Sequence, residues 1–101
     1  MTKAKVDLPL LRIEAFCQKW RVRELSLFGS VLRDDFRPDS DVDVLVVFEE
    51  DAPWSLWDWG DMRDELKSIF GREVDLVEKG ALRNPYRKQA ILSSYEVVYA
   101  A

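Results

Sequence analysis

The sequence predicts an α/β fold, a small mixed sheet flanked by helices. Three observations lead there. Apolar residues recur at helical spacing near the N-terminus and again in the middle of the chain. Three apolar runs of strand length lie between and beyond those stretches. Polar or Gly- and Pro-containing breaks separate the segments. A chain of 101 residues has room for one hydrophobic core, so residues 1–101 are expected to form a single domain. With 48% hydrophobic and 34% charged residues, the composition is globular rather than disordered.

Leu10, Ile13, Phe16, Cys17 and Trp20 mark one face of a helix over residues 8–20, with Asp7 as its N-cap and Pro9 in its first turn. Glu24 to Phe28 reads as a strand that ends at Gly29-Ser30. Val31 to Asp35 reads as a short helix, followed by a turn at Pro38-Asp39-Ser40. Asp41 to Phe48 becomes apolar on both faces after its first positions, the pattern of a strand inside a sheet. Glu49 to Pro53 is a polar break. Trp54 to Phe70 is a helix with Leu56, Trp59, Arg63, Leu66 and Phe70 on one stripe, Met62 and Ile69 beside it, and Gly71 as its stop. Glu73 to Glu78 is a further strand. Asn84-Pro85 caps a helix that ends near Ser93, and Glu96 to Tyr99 is a short closing strand.

Composition excludes several chemistries. There is no histidine, hence no Ser-His-Asp or Cys-His nucleophile and no histidine-ligated zinc. Cys17 is the single cysteine, which rules out an intrachain disulfide framework and a cysteine-rich zinc site. A bound metal would have to take oxygen ligands, as magnesium, manganese or calcium do. The formal net charge of −4 argues against direct nucleic-acid binding through the backbone. The longest core-like apolar run, Val44 to Phe48, is far below membrane-spanning length. Asp7, Pro9, Arg12 and Glu14 interrupt any signal-peptide core after Lys3 and Lys5, so the expected location is the cytoplasm, with no membrane partner.

The chemistry is concentrated in Leu27 to Phe48. Gly29-Ser30 lies between a strand and a short helix, where glycine permits close backbone approach and free N–H groups suit an anion; it is also an ordinary turn sequence. Asp41 and Asp43 alternate onto one face of a strand. Their mutual repulsion calls for a cation between them, unless they belong to a solvated Asp-rich turn. Asp75 interrupts the apolar strand Val74-Asp75-Leu76-Val77. If that strand lies beside Asp41–Phe48, three carboxylates meet and can hold two metal ions ~4 Å apart; otherwise Asp75 faces solvent at an edge or pairs with Arg72.

Gly29-Ser30, ten intervening residues, and Asp41-x-Asp43 resemble the signature of the DNA polymerase β-like nucleotidyltransferase superfamily, with Asp75 where that family has its third carboxylate. Within it the chain is most similar to the minimal nucleotidyltransferase (MNT) antitoxins that pair with HEPN-domain toxins. Arg33, Ser40, Asn84-Pro85-Tyr86-Arg87 and Ile91-Leu92…Glu96-Val97-Val98-Tyr99 extend the likeness over nearly all of the chain after residue 20. Asp34 stands where glycine is common in the family.

The resemblance implies a polymerase β-like nucleotidyltransferase core that transfers AMP from ATP to a hydroxyl. It implies two magnesium ions, held by Asp41 and Asp43, with Asp75 on the ion next to the attacking hydroxyl. Gly29, Ser30 and nearby N–H groups would hold the triphosphate, with Arg33 as a further phosphate contact or a surface ion pair with Asp34 or Asp35. It also implies a HEPN-domain toxin as partner in a hetero-oligomer, adenylylated on a tyrosine and thereby neutralised. Two other functions compete: an antitoxin that acts by binding alone, and a stand-alone nucleotidyltransferase that modifies a small hydroxylated molecule. Two surface features lie outside this chemistry. Trp54 and Trp57 fall on the polar side of their helix, as interface anchors or folded back over the N-terminal helix. Lys79, Arg83, Arg87 and Lys88 form a basic island for an acidic partner or the nucleotide, or simply a solvated surface; Tyr86 stacks on a base or packs.

Overall fold

The apolar alternation of Val42–Phe48 places Val42, Val44 and Val46 on one side of a strand and Asp43 and Leu45 on the other, and the tertiary structure buries the apolar residues of both sides. The structure, a computed structural model, describes residues 6–34, 36–50 and 52–101. Its elements run α1 (Leu10–Lys19), β1 (Val22–Phe28), a 3-10 turn (Gly29–Leu32), β2 (Val42–Phe48), α2 (Leu56–Phe70), β3 (Val74–Glu78), a second 3-10 turn (Lys79–Ala81), α3 (Pro85–Leu92) and β4 (Tyr95–Ala100). The sheet order is β3-β2-β1-β4. β1 pairs antiparallel with β2 and with β4, whereas β2 and β3 run parallel, joined by α2. The expected small mixed sheet with helices is therefore the observed one, and β2 lies inside it.

One face carries the main core. Ile13, Phe16 and Cys17 of α1 and Met62 and Leu66 of α2 pack against Val22, Leu25, Leu27, Val42, Val44, Val46, Val74 and Leu76 of the sheet. The opposite face has a smaller cluster, in which Leu82 and Ile91 cover Phe28 and Leu45. Asp43 and Asp75 belong to this second, thinly covered face.

Several boundaries differ from the sequence expectation, each for a local reason. Pro9, not Asp7, stands at the N-cap of α1, and no side chain caps it. α1 ends where Arg21 takes a left-handed φ of 56°. α2 starts at Leu56 rather than Trp54 because Ser55 and Asp58 form a capping box: the Asp58 N–H donates to Ser55 Oγ (3.2 Å) and the Ser55 N–H to Asp58 Oδ2 (2.9 Å). The buried face of α2 is centred on Met62 and Leu66. Leu56 is 89% exposed and Arg63 is also exposed. At about 100° per residue, Leu56 is rotated some 80° from Leu66, enough to turn it off the sheet. Gly71 ends α2 as expected, with φ 67°. The short helix expected at Val31–Asp35 is instead the four-residue 3-10 turn starting at Gly29; it closes through the Arg33 N–H to the Ser30 carbonyl (2.9 Å). Asp35, Asp51 and the stretch before Val6, with Lys3 and Lys5, lie outside the described residues.

The two tryptophans divide. Trp54 folds back onto Trp20 at the end of α1, edge to face with centroids 5.2 Å apart. Trp57 is 86% exposed on the outer side of α2. Trp20 is anchored in turn by its Nε1, which donates to Glu65 Oε2 (2.7 Å), while Lys19 pairs with Glu65 Oε1 (3.0 Å).

Candidate active site

Strand register brings the carboxylates together. β2 and β3 are parallel neighbours with Asp43 directly opposite Asp75. Side chains at matched positions of adjacent strands share a face. An apolar β3 sequence interrupted by one aspartate therefore places that aspartate beside Asp43. Asp41 lies one residue before β2, at the end of the loop that leads into it. Arg72 fixes that loop: its Nη1 donates to the carbonyls of Arg37 (3.0 Å) and Pro38 (2.8 Å), and its guanidinium lies 4.6 Å from the Phe36 ring centre. The Pro38-Asp39 turn is closed by the Ser40 N–H to the Arg37 carbonyl (3.0 Å) and the Arg37 N–H to Ser40 Oγ (3.0 Å). The Val42 N–H then donates to the Glu73 carbonyl (2.9 Å), which starts the ladder.

Gly29 closes the other side. β1 and β2 pair Phe28 with Asp43, so the residue after Phe28 turns over the Asp43 carboxylate. Gly29 has φ 76°, and a Cβ there would collide with Asp43 Oδ2 and lie 3.2 Å from its Cγ. Glycine is required twice over, for its backbone conformation and for the space. Ser30 and Val31 continue the turn, and Arg33 lines a cavity of about 300 Å³ together with Gly29 and Arg87.

Electrostatics mark Asp43 as the strained member. Partial burial, then the negative charges of Asp75 and Asp41, push its carboxyl up to about 6 from the usual 3.8; Arg87 and Arg33 pull the other way. Asp75 is paired not with Arg72 but with Arg87 of α3, whose Nη2 lies 3.5 Å from Asp75 Oδ2. Sequence reasoning offers Arg87 within Asn84-Pro85-Tyr86-Arg87 and as one of four basic residues for an acidic partner or the nucleotide, but misses it as the partner of Asp75. Two of the other three turn elsewhere. Lys79 lies over the Tyr95 ring (5.8 Å) and Arg83 donates to the Gly80 carbonyl (3.2 Å). Tyr86, beside Arg87, is 84% exposed rather than packed.

The donor set suits a hard divalent cation: carboxylate oxygens only, with a repulsion at Asp43 that a positive ion would relieve. Among the described residues, no group of three or more Asp, Glu, Cys or His is gathered tightly enough to enclose an ion, and Asp75 faces Arg87. Asp43 and Asp75 are thus brought side by side, with Asp41 adjoining but exposed.

A mixed sheet that presents paired aspartates beside a glycine turn is the framework of a nucleotidyltransferase. Residues 12–98 match the nucleotidyltransferase domain, and the chain belongs to that family. The protein adenylyltransferase MntA of Thermococcus cleftensis is 40% identical over 82 residues, 81% of this chain and 78% of that protein. A solved structure described as a minimal nucleotidyltransferase superposes with a TM-score of 0.67 at 31% identity, over 87% of this chain and 85% of that one. A chain from the complex of tri-AMPylated Shewanella oneidensis HEPN toxin with MNT antitoxin shares the fold, with a TM-score of 0.66 at 17% identity over 91% of this chain and 70% of that one. The family match begins at residue 12, so the likeness includes α1 as well as the stretch after residue 20. No described helix is long and apolar enough to cross a membrane.

Proposed function

We propose that this nucleotidyltransferase transfers AMP from ATP to a tyrosine hydroxyl of a partner HEPN-domain toxin and acts as its antitoxin. The observation that carries the reading is the Asp43–Asp75 pair in register beside Gly29. The MntA relative and the AMPylated-toxin complex support the donor and the partner class.

Asp41, Asp43 and Asp75 would hold the magnesium ions, which when bound offset the charge that develops on the α-phosphate and the departing pyrophosphate. The absence of a side chain at Gly29 lets the Asp43 carboxylate lie against the turn; the triphosphate would lie along that turn, with Ser30 in it and Arg33 on the cavity wall. The tyrosyl oxygen attacks the α-phosphorus, the bond from that phosphorus to the bridging oxygen of the β-phosphate breaks, and pyrophosphate leaves. The hydroxyl proton passes to Asp75 or to solvent. The second cavity, of about 420 Å³, runs from Asp75 and Arg87 to Trp59 and Leu56, on the side where an acceptor would approach. Leu56 on its lining is exposed, and Trp57, the next residue in the chain, is exposed too, which favours protein contact beside the chemistry.

The test is label transfer from α-phosphate-labelled ATP with magnesium, in the presence of the cognate toxin, beside an Asp41→Asn/Asp43→Asn variant. A labelled toxin band that needs the intact carboxylates is the expected result. Toxin bound and neutralised equally by the variant, with no label, would replace catalysis with neutralisation by contact. Label found in a small-molecule fraction would replace the protein acceptor with a metabolite.

A further inference from the structure

Arg87 occupies a position that neither the fold nor the proposed chemistry accounts for. Its side chain lines both cavities that flank the carboxylates: the one with Gly29 and Arg33, and the one with Asp75, Trp59 and Leu82. It is therefore the partition between the two. Its backbone is fixed, because Ile91, one turn further along α3, is buried against Phe28 and Leu45, and Leu82 anchors the segment just before the helix. Its guanidinium is not fixed. The ion pair with Asp75 is long at 3.5 Å, and the side chains are 53% and 51% exposed. Such pairs hold weakly and exchange readily. Every described residue from Arg83 to Ala90 is exposed, which leaves the Arg87 side chain room to swing.

Asp75 is one of the three carboxylates assigned to the metal, and a cation and Arg87 cannot both neutralise the same oxygen closely. On the Gly29 side, where the triphosphate would lie, Arg87 stands within reach as a planar fork with five donors, the geometry suited to phosphate oxygens.

We propose that Arg87 is a nucleotide-binding residue with two stations. Without nucleotide it serves as the counter-ion of Asp75, and when the metal-loaded nucleotide arrives it turns across the partition onto the phosphates. This assignment rests on the nucleotidyltransferase reading. It means that the empty site carries its own internal cation and that nucleotide and metal together displace it.

The experiment compares the wild-type protein with Arg87→Gln and Arg87→Lys, and with Arg83→Gln as a control that alters the same segment away from the carboxylates. Mn²⁺ alone is titrated and free Mn²⁺ is read by electron paramagnetic resonance. ATP is titrated separately by calorimetry at saturating magnesium. Removing a positive charge from beside the carboxylates should tighten Mn²⁺ binding roughly three- to tenfold in Arg87→Gln. Losing a charge-assisted contact should weaken ATP binding about tenfold or more. Arg87→Lys should restore wild-type Mn²⁺ affinity but only part of the ATP affinity, since it lacks the fork. An arginine with a merely structural role would give loss of both affinities, and that result overturns the assignment. Unchanged Mn²⁺ affinity in Arg87→Gln also overturns it, while the nucleotidyltransferase reading stands. Wild-type protein that binds neither Mn²⁺ nor ATP overturns both together.

Discussion

Replacing Asp43 with asparagine should make the metal-free protein more stable at neutral pH, although it removes a residue central to the site. The carboxyl of Asp43 is pushed up to about 6 from 3.8, first by burial and then by Asp75 and Asp41. A folded-state value above the unfolded one means that the folded chain holds this proton more tightly. The associated stability is fully present below about pH 4 and is lost as the pH rises through 6. A rise of that size corresponds to a ceiling of about 3 kcal/mol. Solvent reaches Asp75, and Arg87 and Arg33 offset part of the repulsion, so a cost of ~1–2 kcal/mol at pH 7.5 is the better expectation. For a domain of this size that is a Tm difference of roughly 5–10 °C. Circular-dichroism melts of wild type and Asp43→Asn in chelator, from pH 4 to 8, would read it. The difference should be near zero at pH 4, open between pH 4 and 6.5, and remain flat above. Adding magnesium should raise the wild-type Tm and leave the variant almost unmoved. A difference that does not change with pH, or a variant less stable than wild type at pH 7.5, would refute the view that Asp43 is held against its own charge.

Other substitutions follow from the same geometry. Gly29→Ala should cost about 1 kcal/mol for its left-handed φ and, by driving a methyl into the Asp43 carboxylate, abolish transfer. Gly71→Ala, with a similar φ of 67° but nothing within 4 Å of its Cβ, should show about the same φ cost in melts and leave transfer intact, so label transfer separates the two. Arg72→Ala frees the loop carbonyls of Arg37 and Pro38 that lead into Asp41, so Mn²⁺ affinity should fall several-fold with little change in Tm. Cys17 is fully buried, and burial pushes its thiol up to about 12, so it should resist alkylation at pH 8 in folded protein and react only as fast as the chain opens. Leu66→Ala, at the centre of the buried face of α2, should cost ~2–5 kcal/mol in a urea titration.

Elements with strong local periodicity or turn chemistry are legible in the amino-acid sequence. β2 declares its central position through apolar residues on both faces, and Gly71 and Asn84-Pro85 mark a helix end and a helix start. The capping box Ser55-x-x-Asp58 is also written in the chain, and it sets the start of α2 two residues later than the apolar pattern does. Helical periodicity fails at Leu56, because a stripe of apolar residues defines a face only to within the rotation that packing then selects. At Gly29 the chain fits a turn there or a helix beginning at Val31. Gly-Ser followed by apolar residues suits either, and only the pairing of Phe28 with Asp43 decides between them.

The sequence by itself determined the kinds of residue available for chemistry, a set of aspartates with no histidine and one cysteine, and the order of strands and helices that carries them. Both depend on covalent order and local preference. Only the tertiary structure decided which strands are neighbours. The parallel pairing of β2 with β3 turns two aspartates 32 positions apart into one charged pair. The docking of Ile91 onto Phe28 and Leu45 brings an arginine from α3 against it. Those contacts join residues distant in the chain, and no local spacing encodes them; they are fixed by the burial of apolar surface on the two faces of the sheet.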